Sequence, residues 1–369
     1  MTMPRLDAIT IKGFKSIRAL ENFALQRRNI LIGGNGAGKS NFMDFFRLLR
    51  AMCGFSLPGL PVSGLDNYVA TNGGSEALLF NGSRVTPQIE FSLRSKANIY
   101  KCILSPTVNE TFILASEKAT YCGFYDNTTH EYEDNEKSVL PEYKDTKTIE
   151  GYTYRAVASW NIYHFHDTSH LSPMRRSADM ADTAYLRPDG ENLAPFLRAL
   201  SKNEPRSYQR IVRAIRLVAP FFEDFLFTSP LEDKVRLDWK QKNSDYPMKP
   251  YHFSDGTLRY IALATALLQP QPPSLILIDE PELGLHPQAL PLLAEMVKAV
   301  PETTQIILAT QSAALVDYFA PEDVVVVNRR EGASVFERLD PEACERWLQD
   351  YSLGTLWRKN VIDGGPRHE

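Results

Sequence analysis

Hydrophobic and polar residues change rhythm several times along this 369-residue chain. Residues 6–11 alternate, which predicts a half-buried strand, and Arg28–Ile32 is an apolar run that predicts a buried one. Lys39–Met52 carries apolar residues at helical spacing. Residues 53–80 are rich in Gly and Pro and read as mostly loop. From residue 88 to about 165, the segments QIEFSL, NIYKCIL, TFILAS, TYCGFY, YTYRAVA and WNIYHFH predict antiparallel strands. From about 193 to 227 the pattern is helical. Residues 258–268 predict a helix, 274–278 a buried strand, 288–300 a helix and 305–309 another buried strand. Residues 324–328 and 334–338 predict a hairpin. Apolar strands alternating with helices at both ends of the chain imply an α/β fold with its sheet covered on both faces. The chain shows no internal repeat, no low-complexity tract and no sustained heptad.

Composition narrows the class. Hydrophobic residues at 43% and charged residues at 23% exclude a disordered or collagen-like chain. Lys and Arg number 41 against 45 Asp and Glu, a net charge of −4, which excludes a uniformly basic nucleic-acid coat but not a local patch. Charge is uneven: residues 1–50 hold nine basic against three acidic residues, and residues 131–150 hold seven acids against three lysines. The stretch HEYEDNEKSVLPEYKD reads as an exposed loop or hairpin tip. Four scattered cysteines, without a CxxC pair, give neither a disulfide framework nor a zinc site and fit a reducing cytoplasm. No apolar run approaches 18 residues, and the start MTMPRLDAITIKGF lacks a signal-peptide core, so a cytoplasmic protein off the membrane is expected.

Residues 28–40 read RNILIGGNGAGKS. Gly33, Gly34, Asn35, Gly36, Ala37, Gly38, Lys39 and Ser40 match GxxxxGK[ST] between an apolar strand and a helix, with Asn41 next in line. Glycines let the backbone curl so that its N–H groups face phosphates, and the helix N-terminus favours an anion. Lys39 is placed to neutralise β- and γ-phosphates, and Ser40 to give a hydroxyl to Mg²⁺. Residues 275–287 read LILIDEPELGLHP. Asp279 and Glu280 end an apolar run in the form of a Walker B strand, Asp279 for Mg²⁺ and Glu280 as general base for the attacking water. Taken alone, Asp-Glu before Pro also fits a helix cap; the phosphate loop in the same chain favours the catalytic reading.

Further segments carry a family resemblance. HFSDGTLRYIALATALL (252–268) resembles an ABC-type signature loop opening a helix, with Ser254, Asp255 and Gly256 as SDG instead of SGG. LGLHP (283–287) occupies the D-loop position, ILATQS (307–312) the switch position with Gln311 in place of His, and ITIKGFKSI (9–17) resembles the first strand of SMC/RecF-type ATPases. The whole resembles a RecF-like or OLD-like ATPase of the AAA/ABC-head class, its motifs covering residues 5–45 and 250–330. The resemblance implies a P-loop NTPase with a β-rich lobe and a helical lobe inserted between Walker A and the signature. It implies one ABC-like head: 1–165 with Walker A and the β-rich section, 166–250 helical, 251–340 with signature, Walker B, D-loop and switch, and 341–369 a C-terminal helix and tail. It further implies a homodimer with ATP sandwiched in it, residues 254–256 of one subunit reaching the γ-phosphate held by the other. OLD-type nucleases carry a Toprim domain after the ATPase. About 30 residues follow the last hairpin here, so a stand-alone ATPase is expected. Gln311 does not titrate near neutrality as His does, though it still hydrogen-bonds, so slow turnover is expected.

The middle is less distinctive. WNIYHFHD (160–167) puts His164 and His166 on one strand face, followed by Asp167 and His170. This strand end reads as the counterpart of the Q-loop, as structural imidazoles, or as a metal site of His164, His166 and Asp167; Gln88 is a weaker Q-loop candidate. Helix 205–218 carries Arg206, Arg210 and Arg213 on one stripe, either a solvated face or a patch for nucleic acid or an acidic partner. Segment 344–360 is expected to dock on the core through Trp347, Leu348, Tyr351, Leu353 and Leu356. The functional expectation is an ATP-hydrolysing switch that controls DNA engagement or a separate effector such as a nuclease, in repair or anti-phage defence. The alternatives are the ATPase subunit of a transporter and a nucleotide-gated scaffold with negligible turnover.

Overall fold

The computed structural model describes residues 5–55, 64–123 and 127–362. A hairpin of β1 (Ala8–Phe14) and β2 (Ile17–Ala24) comes first, followed by β3 (Arg28–Ile32) and helix α1 (Lys39–Met52). Short helices α2 (Leu65–Thr71) and α3 (Gly74–Leu78) precede strands β4 (Ile89–Ser95), β5 (Asn98–Pro106), β6 (Phe112–Cys122) and β7 (Asn127–Asn135). Helix α4 (Ile149–Ala158), β8 (Trp160–Tyr163) and β9 (Ala178–Asp179) follow. Then come helices α5 (Leu193–Asn203) and α6 (Pro205–Val218) and strands β10 (Phe222–Leu231), β11 (Lys234–Gln241) and β12 (Pro247–Met248). Helix α7 (Asp255–Leu268), β13 (Leu275–Asp279), α8 (Ala289–Lys298), β14 (Gln305–Thr310) and α9 (Ala313–Val316) lead to the hairpin β15 (Val324–Arg330) and β16 (Ala333–Arg338). Helices α10 (Pro341–Leu348) and α11 (Leu353–Arg358) end the described order. The chain divides into two compact units. One is Met1–Ile162, Pro273–Leu277 and Thr303–Glu369; the other is Tyr163–Pro272 and Ile278–Glu302.

The first unit is built on two six-stranded sheets. One runs β2-β1-β4-β5-β6-β7, antiparallel at each pairing. The other runs β16-β15-β3-β14-β13-β8, with β3 parallel to both β14 and β15 and β16 antiparallel to β15. Helix α1 packs against both. Phe45 meets Phe14 and Phe91 of the first sheet at 5.6 and 5.2 Å between ring centroids. Phe42 meets Phe336 of the second at 5.2 Å, and Phe46 meets Trp160 at 5.5 Å. A helix covered on two sides is apolar around most of its girth, as FMDFFRLLRAM shows, and each such phenylalanine contributes about 1.5–3 kcal/mol of burial. Its polar residues have partners: Asp44 pairs with Lys15 and Arg47, and Arg50 donates to the carbonyls of Val157, Ala158 and Trp160.

Several sequence expectations are corrected. YTYRAVA lies in helix α4, because Thr148 caps it by accepting from the Gly151 N–H, and its alternation is the face of a half-buried helix. Most of TFILAS and the start of TYCGFY, to Cys122, fall in one strand, β6; residues 124 and 125 lie outside the described residues. The acidic stretch is no loop tip at its start: residues 127–135 form edge strand β7, whose exposed charges suit a strand with one unpaired side. WNIYHFH is strand only to Tyr163, and it joins the sheet that carries β3. Residues 53–80 contain α2 and α3; residues 56–63 within them lie outside the described residues. The helical pattern expected to 227 stops at Val218, since Pro220 cannot continue it, and the aromatic-rich run after it is strand β10. In the C-terminal segment Leu353, Leu356 and Trp357 are buried, whereas Trp347 and Tyr351 stay exposed.

In the second unit, α6 buries Ile211, Val212 and Ile215 and leaves Arg206, Arg210 and Arg213 exposed. A small antiparallel sheet runs β10-β11-β12, with β9 also on β11. The segment 166–250, expected to be helical, thus holds a helix pair and a sheet. Asp238 is buried on β11, and Arg236, Lys249 and Thr228 all donate to it. Among the described residues no helix is long and apolar enough to cross a membrane.

Candidate functional site

The phosphate-loop sequence sits between β3 and α1 in the first unit. Gly38 caps α1 with φ 111°, a left-handed conformation that L side chains rarely adopt. A Cβ there would also lie 1.9 Å from Ser334 Oγ and 2.8 Å from Ser16 Oγ. These two hydroxyls buttress the loop. Ser16 and Ser334 lie 2.7 Å apart, Ser334 donates to the Ala37 carbonyl at 2.6 Å, and Asn41 donates to Ser16 at 2.7 Å. Lys39 is 5% exposed, and its ammonium donates to the carbonyls of Gly33 and Gly34 at 2.7 and 3.1 Å. Asn35, Gly36 and Ser40 are exposed, Gly34 and Asn41 half-buried, and Gly33, Ala37 and Gly38 buried. The arrangement curls backbone amides and one cation around the N-terminus of a 14-residue helix, which suits a polyphosphate.

Two features extend this site. Strands β3 and β14 are parallel with Ile32 opposite Thr310, so Gly33 and Gln311 leave the sheet at neighbouring strand ends. Gln311 is exposed. A polar cleft of about 400 Å³ opens beside Ser16 and Asn41, lined also by Lys15, Asn72, Asn81 and Arg329.

The second unit holds the other candidate residues. Ser254 caps α7 by accepting from the Thr257 N–H at 3.2 Å. Ser254 and Asp255 are exposed at the helix start. Arg175 is almost fully buried and donates to the carbonyls of Thr168, Pro250 and Phe253 and, at 2.9 Å, to Asp255. Gly256 lies against the segment 283–287: a Cβ on it would be 2.3 Å from the Gly284 carbonyl oxygen. Asp279 ends β13, and both it and Glu280 are half-buried. Glu280 adopts φ 44° and opens a turn closed by the Leu283 N–H on its carbonyl at 3.2 Å.

The middle candidates resolve differently. The rings of His164 and His166 lie 4.1 Å apart, and His166 Nε2 is 2.9 Å from the Asp279 carbonyl oxygen. Asp167 instead accepts from the Ser169 N–H, and hydrogen bonds from Ser169 hold its carboxyl below the usual range. Among the described residues no group of three His, Cys, Asp or Glu is placed to hold a metal ion, so the metal reading of His164, His166 and Asp167 has no support. Gln88 donates to Glu90 at 2.6 Å. Sequence reasoning missed Ser16, Ser334, Arg175 and Arg259. Ser16 lay inside the quoted ITIKGFKSI motif and Arg259 inside the quoted segment 252–268; Ser334 and Arg175 have no local signal, because their partners are distant in sequence.

The described elements form an α/β P-loop fold of the kind seen in Smc head domains. The family model described as "AAA domain, putative AbiEii toxin, Type IV TA system" matches residues 28–317, well over half of the chain. The chain therefore belongs to that AAA-domain family. A comparison with curated proteins gives no match. Among solved structures it is similar to an Smc head bound to the C-terminal winged-helix domain of ScpA, with 16% identity and a TM-score of 0.57, covering 93% of this chain and 100% of that one. It is also similar to the Smc head domain with an extended coiled coil bound to the C-terminal domain of ScpA from Pyrococcus furiosus, with 16% identity and a TM-score of 0.53, covering 94% and 99%. At such identity the likeness speaks for the fold.

Proposed function

We propose that the protein is an ATP-hydrolysing switch that closes into a homodimer around ATP. The observation that carries this reading is the phosphate loop: a left-handed Gly38 and the Lys39 ammonium at the start of α1, with Asn35, Gly36 and Ser40 exposed beside them. Lys39 and the loop amides hold the triphosphate, and the polar cleft lined by Asn72, Asn81 and Arg329 takes the nucleoside end. Mg²⁺ would neutralise phosphate charge when bound, and the hard oxygen donors proposed for it are the Ser40 hydroxyl of the phosphate loop and the Asp279 carboxylate that ends β13. Glu280 accepts the proton of the attacking water, and Gln311 hydrogen-bonds the phosphate or that water. The capped start of α7, with Ser254 and Asp255 exposed and Gly256 half-buried, offers N–H groups and a hydroxyl to a second subunit's γ-phosphate. The closed state then engages DNA or a separate effector such as a nuclease, with defence or repair as its setting.

The test pairs Glu280→Gln with a mixing experiment. Glu280→Gln keeps ATP binding, stops hydrolysis and lets Mg·ATP trap a dimer in light scattering. Lys39→Ala and Asp255→Arg are each inactive alone. Mixed, they form a heterodimer with one doubly damaged and one intact composite site, recovering up to about a quarter of wild-type turnover by two-fold symmetry. Full activity of Asp255→Arg alone, or only monomer with undiminished hydrolysis in Glu280→Gln, refutes the dimer reading.

A further inference from the structure

The turn that presents Glu280 is held from both sides by one buried side chain. Arg259 lies on α7, one turn beyond the exposed Ser254 and Asp255, and is 5% exposed. Its Nη1 donates to the Leu283 carbonyl, its Nε to the Phe165 carbonyl at 2.9 Å and its Nη2 to the His166 carbonyl at 2.9 Å. Leu283 in turn donates its N–H to the Glu280 carbonyl at 3.2 Å. His166, fixed through its own carbonyl, places Nε2 at 2.9 Å from the Asp279 carbonyl, where a ring N–H donates. Residue 279 is thus pinned by His166 and residue 283 by Arg259, with Glu280 between them.

Glu280 needs such support. Its φ of 44° is a left-handed conformation that a non-glycine residue leaves readily unless neighbours over-determine it. The planar guanidinium suits the task, because its donors diverge in a fixed plane and reach three carbonyls on two separate segments. The same helix carries the exposed Ser254 cap, and Gly256 touches the Gly284 carbonyl.

We infer that Arg259 is a positioning residue: it locks the Glu280 turn to the signature helix, so that a ligand arriving at residues 254–256 sets the orientation of the general base. The kinetic part of this inference rests on the ATPase reading above. Its structural part does not, and the test separates them.

Arg259→Lys keeps the charge and loses the fork. Hydrogen exchange followed by mass spectrometry reads the peptide covering residues 279–285 against the phosphate-loop peptide 28–42. Exchange of the first is expected to quicken at least tenfold while the second is unchanged. In steady-state assays kcat is expected to fall at least tenfold, with ATP affinity within threefold of wild type. Unchanged exchange at 279–285 in a folded Arg259→Lys protein overturns the lock whether or not the wild type hydrolyses ATP. Faster exchange with kcat within twofold of an active wild type overturns the positioning role. Faster exchange with a wild type that never hydrolyses ATP keeps the lock and refutes the ATPase reading instead. Should Arg259→Lys fail to fold, His166→Ala reads the same lock from its other side. It is expected to quicken exchange at 279–285, and His166→Gln, which retains a donor, to restore it. Wild-type exchange in both His166 variants overturns the inference.

Discussion

Lys39→Ala tests the phosphate loop where its charge is concentrated. The Lys39 ammonium is held within 2.7 and 3.1 Å of two loop carbonyls, so it is already positioned rather than recruited from solvent. A phosphate oxygen entering the loop meets a fixed positive charge at salt-bridge distance, where two unit charges at about 4 Å attract by about 4 kcal/mol at an effective dielectric of about 20. Some of that is offset because Lys39 gives up a carbonyl when it turns to the phosphate, about 1 kcal/mol for a hydrogen bond exchanged. The remainder, about 3 kcal/mol, weakens ATP binding in Lys39→Ala by about two orders of magnitude. Titration calorimetry with Mg·ATP measures it, and circular dichroism checks that the variant folds. An affinity within threefold of wild type in a folded variant would show that Lys39 does not face the phosphates.

Two further outcomes follow from the second unit. Gly256→Ala places a Cβ 2.3 Å from the Gly284 carbonyl oxygen, so one loop must move by close to 1 Å; the expected cost is about 1–3 kcal/mol in urea unfolding, with turnover reduced and ATP affinity kept, and wild-type stability and turnover would refute the contact. Burial alone would raise the Asp238 carboxyl, but hydrogen bonds from Arg236, Lys249 and Thr228 outweigh it and hold the group below its usual range. A carboxyl depressed in the folded state stabilises it above the unfolded pKa near 4, and that stability is lost as pH falls through the folded value. Asp238→Asn is therefore expected to be less stable at pH 7 and to lose less on going to pH 3; parallel pH–stability curves for the two proteins would contradict the pairing.

Local patterns foretold much of the core. Arg28–Ile32 and Lys39–Met52 are legible because a buried strand, a glycine turn and a helix each leave a contiguous signature. The hairpin of β15 and β16 shows in the apolar run 324–327 and the short segment 334–338 on either side of Gly332. YTYRAVA misled because residues 152–156 alternate over a window too short to tell period 2 from period 3.6 once a capping Thr148 is overlooked. The β10 run was absorbed into the preceding helix because its aromatics fit an apolar helical face as well as a sheet. The supports of the candidate site were illegible for a different reason. Ser334 braces Ala37 across 297 positions and Arg175 reaches Asp255 across 80, and no local pattern encodes a contact at that separation.

The SDG sequence, a departure from SGG, acquires a physical logic from Arg175. A bare carboxylate at residue 255 would repel a phosphate arriving at the helix start and offset part of the attraction of its N–H groups. Arg175 is anchored by three carbonyls and meets Asp255 at 2.9 Å, so the acid is presented together with a fixed positive charge. The Asp255 side chain is 68% exposed and the Arg175 side chain 6%, so the pair is a buried cation capped by an exposed anion. Removing one member alone does different harm from either end. Without Asp255, Arg175 still has its carbonyls and the loop keeps its shape. Without Arg175, three carbonyls lose a common donor and Asp255 faces solvent with its charge uncompensated. The segment at Arg175 is in this way part of the chemistry at residues 254–256, although 80 positions separate Arg175 from Asp255 in sequence.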